Sequence, residues 1–320
     1  MKCIHSHSDD PYFNLAAEEY LLKNFSHNIY FQYVNRPAVV VGKHQNALAE
    51  VDVDFLEKEG ILLARRISGG GAVYHDRGNV NYSFITNEQP GDFIKFDKYT
   101  APVIRVLEGM GVEARLGKRN ELLAGDFKIS GTASHVFKRR VLHHGTLLYD
   151  ADLTKLSQCL YVNMDRFTDK AVRSVRSQVI NLSTLIPDRV TSAVFDDQLF
   201  DRLTELLEEV EILDFTQDDI QAINDLVATK FSLWDWNYGY SPRYEISRDL
   251  VLDNRKLHIQ LVVQKGIIEE LNFSGDDFPE LASLSKSLQG SRHHKGLVIS
   301  IIETTLPGFP YVKNLFTALF

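Results

Sequence analysis

Apolar residues recur at helical spacing early in the chain. Phe13, Ala16, Ala17, Tyr20, Leu21 and Phe25 in "DDPYFNLAAEEYLLKNF" share one side of a predicted helix. Asp9 or Asp10 stands where an N-cap belongs, and Pro11 suits a first helical turn. The compact runs "IYFQYV" and "AVVVG" predict strands joined by Asn35-Arg36-Pro37. "VDVDFLEKEG" predicts a short helix ending at Gly60, "ILLARRIS" a strand, and "NVNYSFIT" alternates as another. The triple glycine Gly69-Gly70-Gly71 is therefore expected on a loop between two strands. It does not sit at the strand-to-helix junction of a nucleotide-binding α/β fold.

Further along, "YTAPVIRVLEGMG" has a helical composition. "NELLAGDFKISGTASHVFKRRVLHHGTLLYD" predicts several strands with a tight turn at Gly125-Asp126. Asp152 to about Lys230 reads as mostly helical, and "WDWNYGYSPRY" reads as a boundary. Beyond it, three short antiparallel strands are expected, turning at Asp253-Asn254 and Lys265-Gly266, and then two or three short helices. The expectation is an α/β (α+β, mixed-sheet) protein. Residues 1–243 form a large domain and residues 244–320 a small α+β domain.

Composition narrows the function. The 320 residues are 44% hydrophobic and 24% charged, as in a globular protein with a sizeable core. A net charge of −8 argues against a general nucleic-acid binder, although a local basic pocket remains compatible with it. Two cysteines are too few for a disulfide framework or a four-thiolate zinc site and fit a reducing compartment. No apolar run reaches the length of a membrane span, and "MKCIHSHSDDPYFN" lacks the apolar core of a signal peptide. A cytoplasmic monomer without membrane or nucleic-acid partners is expected.

The densest chemistry is "RRISGGGAVYHDRGN", Arg65 to Asn79. Glycine lets the backbone adopt positive φ and lets a ligand approach closely, and successive exposed N–H groups bind anions. Neither G-x-x-x-x-G-K-[ST] nor G-x-G-x-x-G occurs, so any nucleotide is held in another way. Adjacent strand residues point to opposite faces, so one of Arg65 and Arg66 should face the pocket and the other lie at the surface or behind it. Lys128 in "FKISGTASH" is followed by small residues that leave room for a ligand, in a block that could face the glycine loop. His143-His144 and His293-His294 are poor metal pairs for the same alternation reason, and His5 and His7 lack an evident third ligand. No metal site is expected, and His144 reads as a pocket wall. There is no G-x-S-x-G elbow, and Cys159 sits in an apolar helical pattern that suits a small buried hydrophobe.

In this order, "RRISGGGAVYHDRGN", "KISGTAS", "HHGTLL" and "VRSVRSQVINLS" resemble the lipoate–protein ligase family. The likeness begins at "DPYFNLAAEEY" and continues through "VVVGKHQN", "GKRNELL" and "WDWNYG" into the C-terminal part. The resemblance implies a catalytic domain of the biotin/lipoate ligase type with a C-terminal accessory domain. It implies that lipoate and ATP, with Mg²⁺, give lipoyl-adenylate and pyrophosphate. The acyl group then passes to a lysine of a lipoyl domain of a 2-oxoacid dehydrogenase E2 subunit or of glycine-cleavage H protein. Carried over by the motifs, Lys128 is the catalytic lysine, contacting both the lipoate carboxyl and the phosphate. Arg66, Gly71, Ala72, Val73, Tyr74, Asn79 and Asn120 fall at nucleotide positions, while Ser68, Gly69, Gly70, His75 and His144 fall along the lipoate, with Asp76 in support.

Three alternatives stand beside this reading, and the motifs do not separate the second of them from a full ligase. An octanoyltransferase would use a cysteine, but Val141 stands at the position where one branch has it, leaving Cys159. A transferase taking ready-made lipoyl-adenylate shares the same motifs. A non-catalytic lipoate-binding protein would have less need of the Lys128 charge.

Overall fold

In the computed structural model, residues 1–89, 95–160 and 167–320 are described. In chain order the strands are β1 (Lys2–His5), β2 (Ile29–Val34), β3 (Ala38–Val41), β4 (Leu62–Arg65), β5 (Val73–His75), β6 (Asn79–Asn87), β7 (Ala114–Leu116) and β8 (Leu122–Ala124). They continue with β9 (Phe127–Ser130), β10 (Thr132–Phe137), β11 (Arg140–Leu148), β12 (Thr168–Asp169), β13 (Glu211–Ile212), β14 (Tyr244–Leu252), β15 (Arg255–Gln264) and β16 (Ile267–Gly275). The helices are α1 (Pro11–Asn24), α2 (Ala47–Glu50), α3 (Val53–Glu59), α4 (Phe96–Gly109) and α5 (Leu153–Cys159). α6 (Ser192–Leu206), α7 (Gln217–Leu226), α8 (Leu281–Leu288), α9 (Lys295–Thr305) and α10 (Val312–Leu319) follow.

The chain divides into two compact units. The first comprises Met1–Lys43, Asp52–Leu160 and Ser174–Leu233. The second takes Trp234–Phe320 together with His44–Val51 and Tyr161–Arg173, two segments that precede the boundary expected at residue 243.

In the first unit, strands β10-β11-β6-β2-β1-β13 form a mixed sheet among the described residues. Small sheets β4-β3-β5 and β7-β8-β9 accompany it. Asp10 caps α1 by accepting from the N–H groups of Tyr12 and Phe13, as the sequence suggested. Gly60 ends α3 in the left-handed conformation. β2 and β3 do not form a hairpin: the bend at Asn35 to Pro37 sends them into different sheets.

Both faces of β6 are buried, which its alternating sequence does not announce. Val80, Tyr82 and Phe84 join the apolar core with Tyr30, Tyr149 and Phe195. Tyr149 and Phe195 stack with ring centroids 4.0 Å apart. Asn79, Asn81 and Ser83, on the opposite face, lie in a polar interior. The stretch from Asp152 to Lys230 is less helical than expected. α5, α6 and α7 form, but Lys170 to Val179 is largely without regular structure. That part is rich in arginine, serine and valine and has no apolar helical stripe to bury. Residues 161–166 of the stretch lie outside the described residues.

In the second unit, β14, β15 and β16 are consecutive antiparallel strands, with β12 beside β14. Asp253, Asn254, Lys265 and Gly266 have positive φ at the two expected turns. Three helices follow, and the core gathers around Ile259, Leu261, Leu284, Val298, Ile302 and Leu315. No helix among the described residues is long and apolar enough to cross a membrane.

Candidate active site

The triple glycine lies between β4 and β5, as expected. Gly70 has φ +91°, a conformation that disfavours a side chain. The end of β3 presses on the loop backbone: a Cβ on Gly42 would stand 2.1 Å from the Gly70 carbonyl oxygen. The Lys43 N–H donates to the Ser68 carbonyl at 2.8 Å. From the other side, Ser174 Oγ accepts from the Ala72 N–H at 2.9 Å.

Of the two places expected for the second arginine, Arg65 takes the one behind the loop. Arg65 is not a surface group: it is fully buried and donates to the Gly42 and Lys43 carbonyls at 2.9 and 3.2 Å. Arg66, also buried, turns inward. Its guanidinium donates to the carbonyls of Val40, Gly69 and Gly71 and to Ser68 Oγ, at 3.0, 2.6, 2.8 and 3.0 Å. It therefore ties both ends of the glycine run to β3. Burial pushes its pKa down to about 10, opposed by Glu18 and Tyr33.

A buried chain of polar side chains continues from Arg66. Ser68 Oγ lies 2.6 Å from His144 Nε2, and His144 Nδ1 lies 2.9 Å from Glu18 Oε1. Glu18 also accepts from Ser83 Oγ at 2.5 Å and from the Tyr33 hydroxyl at 3.2 Å. With Arg66 donating to Ser68 Oγ, the hydroxyl can donate to His144 Nε2 while His144 Nδ1–H donates to the Glu18 carboxylate. Glu18, with no direct contact to the guanidinium, is the buried counter-charge of Arg66. His75 closes the floor beside it. Its Nδ1 is 2.9 Å from Asn35 Nδ2 and accepts from that amide, leaving Nε2 protonated and without a hydrogen-bond partner among the described residues. Burial, helped by Arg66 and His144, pushes His75 down to about 3, so the imidazole is neutral at physiological pH.

Lys128 arrives on β9, which an isolated bridge pairs with Val179. The segment that follows, Gly131 to Ala133, lies against the glycine loop. A Cβ on Gly131 would stand 3.3 Å from Lys128 Nζ and 3.8 Å from Val73 Cγ1, and one on Gly70 3.9 Å from Ala133 Cβ. Lys128 is half-buried, and its Nζ has no hydrogen bond or ion pair among the described residues. Burial pushes its pKa below the ordinary lysine value; Glu121 opposes this, and Arg119 and Arg66 add to it. Glu121 is itself engaged by Arg119 at 3.5 Å.

The other expected residues occupy several places. Asn120 has φ +65°, and its carbonyl accepts from Thr132 Oγ1, which joins it to the start of β10. Tyr74 is buried and pairs with Val39 across to β3. Asn79 is fully buried and donates to Asn81 Oδ1 at 3.0 Å. Asp76 supports the backbone, accepting from the N–H groups of Gly78 and Asp152, each at 2.8 Å. His143 and His144 do point apart: His143 stacks on Tyr99 at 4.1 Å.

Cys159 is fully buried, and burial pushes its thiol up to about 11. His5 is joined by Asp196, at 2.8 Å, and by Asp197, carboxylates the sequence does not place beside it. This is a His–Asp pair also held by Gln32, which donates to Asp196 Oδ1 at 2.6 Å.

Sequence reasoning missed Glu18, Asn35 and Ser174. A signal existed for Glu18. It shares a helical stripe with Asn14, Leu15, Leu21 and Leu22, all buried, and a carboxylate in a buried stripe needs internal partners.

Fold and site together define the class. Solved structures that share this architecture include lipoate–protein ligases. The Thermoplasma acidophilum protein Ta0514 with bound lipoic acid matches at TM-score 0.64 and 27% identity, over 74% of this chain and 98% of that one. A lipoate-protein ligase A bound with ATP matches at TM-score 0.61 and 26% identity, over 75% and 97%. The T. acidophilum bi-partite ligase studied with its E2 lipoyl domain matches at 0.63 and 26%, over 75% and 96%. Residues 10–204 match the model of the lipoyl protein ligase A/B catalytic domain. Lipoate-protein ligase LplJ of Bacillus subtilis is 35% identical over 92% of this chain and 91% of its own length. Lipoate–protein ligase 1 of Staphylococcus aureus is 37% identical over 89% and 88%. The chain belongs to the lipoate–protein ligase family.

Proposed function

We propose that this protein activates lipoate with ATP, forming lipoyl-adenylate and pyrophosphate, and transfers the lipoyl group to a lysine amine of a lipoyl domain or of glycine-cleavage H protein. One observation carries the reading. Lys128, a half-buried ammonium without a described partner, stands where the Gly131–Ala133 segment meets the glycine loop. Such a group is under-stabilised until an anion arrives.

In the first step a lipoate carboxylate attacks the α-phosphorus, and pyrophosphate leaves. The two reactants repel each other, and Lys128 between them offsets that repulsion. At ~4 Å and an effective dielectric near 20, each contact has a Coulomb energy of about 4 kcal/mol before desolvation. Gly70, the exposed residue of the loop, lets the adenylate approach the backbone, and neutral His75 offers Nε2–H to the bound acyl-adenylate. Mg²⁺ accompanies ATP and pyrophosphate as part of the substrate. In the second step the acceptor amine, after losing a proton, attacks the acyl carbonyl. Lys128 stabilises the oxyanion, and AMP departs with the electrons of the broken C–O bond. The fully buried Cys159, with its raised pKa, disfavours a thioester route.

We assign the activation and transfer chemistry to the first unit and an accessory role to the second. The setting we propose is the cytoplasm. The test is the intact mass of an apo lipoyl domain after incubation with this protein, lipoate, Mg²⁺ and ATP. A parallel incubation contains lipoyl-adenylate without ATP. A lipoyl mass gain in both supports the full ligase. A gain only with lipoyl-adenylate reduces the protein to a transferase, and no gain in either overturns the reading.

A further inference from the structure

We propose that the surface formed by the end of α1, the β10–β11 turn and Lys230 docks an acidic protein domain that presents the acceptor lysine. The proposal rests on the acyl-transfer reading above and adds where the protein substrate is held. Lys23 and Lys230 share one carboxylate, Glu19: Lys23 Nζ lies 2.5 Å from it, and Lys230 bonds its other oxygen. Glu19 is buried and both lysines reach solvent, so their ammoniums lie on the solvent side of that carboxylate. Lys43 acts on Lys230 as a further like charge.

The patch continues across β10. The Phe137 ring has Lys23 Nζ at 5.5 Å and Lys138 Nζ at 5.2 Å from its centroid. Lys138 and Arg139 form the exposed tip of the turn. Two nearby acidic groups among the described residues are already engaged. Glu88 is bound by Lys98 at 2.8 Å, and Asp219 accepts from the Tyr20 hydroxyl on another side of α1. A chain with net charge −8 repels an acidic partner over most of its surface, and a local cationic face then steers that partner to one orientation.

The face is also on the strand that leads to the site. β10 begins at Thr132, beside Asn120, and Ala133 pairs with His144 across to β11. Phe137 lies five residues further on, roughly 16 Å along the strand at ~3.3 Å per residue. A domain of about 100 residues has a radius of gyration near 13 Å, enough to rest on the patch and reach the pocket.

The experiment uses the full chain, an apo lipoyl domain of known acidity and two readouts. Pyrophosphate release from lipoate and ATP without acceptor reports activation; mass gain of the acceptor reports transfer. The variants are Arg139→Glu with Lys138→Asn, and separately Lys23→Gln. The expected result is an acceptor KM raised about tenfold at low salt, closing towards wild type near 0.5 M NaCl, with pyrophosphate release unchanged. An unchanged acceptor KM in variants that release pyrophosphate normally overturns the docking face alone. A wild-type protein that releases no pyrophosphate and transfers nothing removes the ligase reading and the face with it. An RNA oligomer that binds this surface more tightly than the acceptor also overturns the proposal.

Discussion

Ser68 Oγ and His144 Nε2 stand 2.6 Å apart, although the two residues come from a glycine loop and from a strand of the six-stranded sheet. The contact joins Arg66 to Glu18 through a hydroxyl and an imidazole, so the carboxylate that balances the loop's arginine sits on the first helix. Glu18→Gln keeps the shape and removes that charge. It is expected to lower unfolding stability by about 2–4 kcal/mol. Combined with Ser68→Ala, the effects should be non-additive by about 0.5–3 kcal/mol. Urea unfolding of both single variants and the double variant checks this; simple additivity would break the chain apart.

Lys128→Ala removes an ammonium that has no described partner, so thermal stability should hold or rise slightly. Adenylate formation should fall about 10²–10³-fold or more. Pyrophosphate release and a calorimetric melt are the measurements. Wild-type adenylate yield from this variant would remove Lys128 from the chemistry.

Gly42 and Gly69 make a matched pair. A Cβ on Gly42 meets the Gly70 oxygen at 2.1 Å, whereas one on Gly69 meets nothing within 4 Å. Gly42→Ala should displace the loop, costing about 1–3 kcal/mol in stability and raising the KM for ATP and lipoate. Gly69→Ala should leave the melting temperature unchanged and act only through bound ligand. Equal melting temperatures for the two variants would contradict this account of the loop.

His75 gives stability a pH dependence. Its pKa is about 3 in the folded protein against 6.5 for an ordinary histidine, so between those values the unfolded chain binds the extra proton. Stability from this group is fully present above pH 6.5 and is lost as pH falls towards 3, by about 2 kcal/mol at pH 5. His75→Gln should flatten the urea midpoint between pH 7 and 5. An unchanged slope would mean that this imidazole is protonated in the fold.

Much of the frame was legible in the chain. The capped first helix, the glycine loop between strands, the 253–254 and 265–266 turns and the small C-terminal sheet follow from local spacing and turn chemistry. The residues around Arg66 were legible as a group but not in their directions. Alternation along a strand assigns faces, yet Arg65 and Arg66 are both buried because the β3 end and the glycine loop offer backbone carbonyls on both sides. The Lys170–Val179 stretch misled because its neighbours are helical while its own residues have no stripe to bury.

The sequence by itself determined which residues bring charge, bare backbone and small volume, and in what order. Those are properties of side-chain type and of spacing within a few residues. Only the tertiary structure decided that Glu18 balances Arg66 through His144 and Ser68, that Ser174 holds the loop, and that Lys128 has no partner among the described residues. Apart from the local Arg66–Ser68 bond, these are contacts between residues more than 70 positions apart, or the absence of one. Local periodicity carries no information across such separations; the packing of α1, β6, β9 and β11 around the loop supplies it.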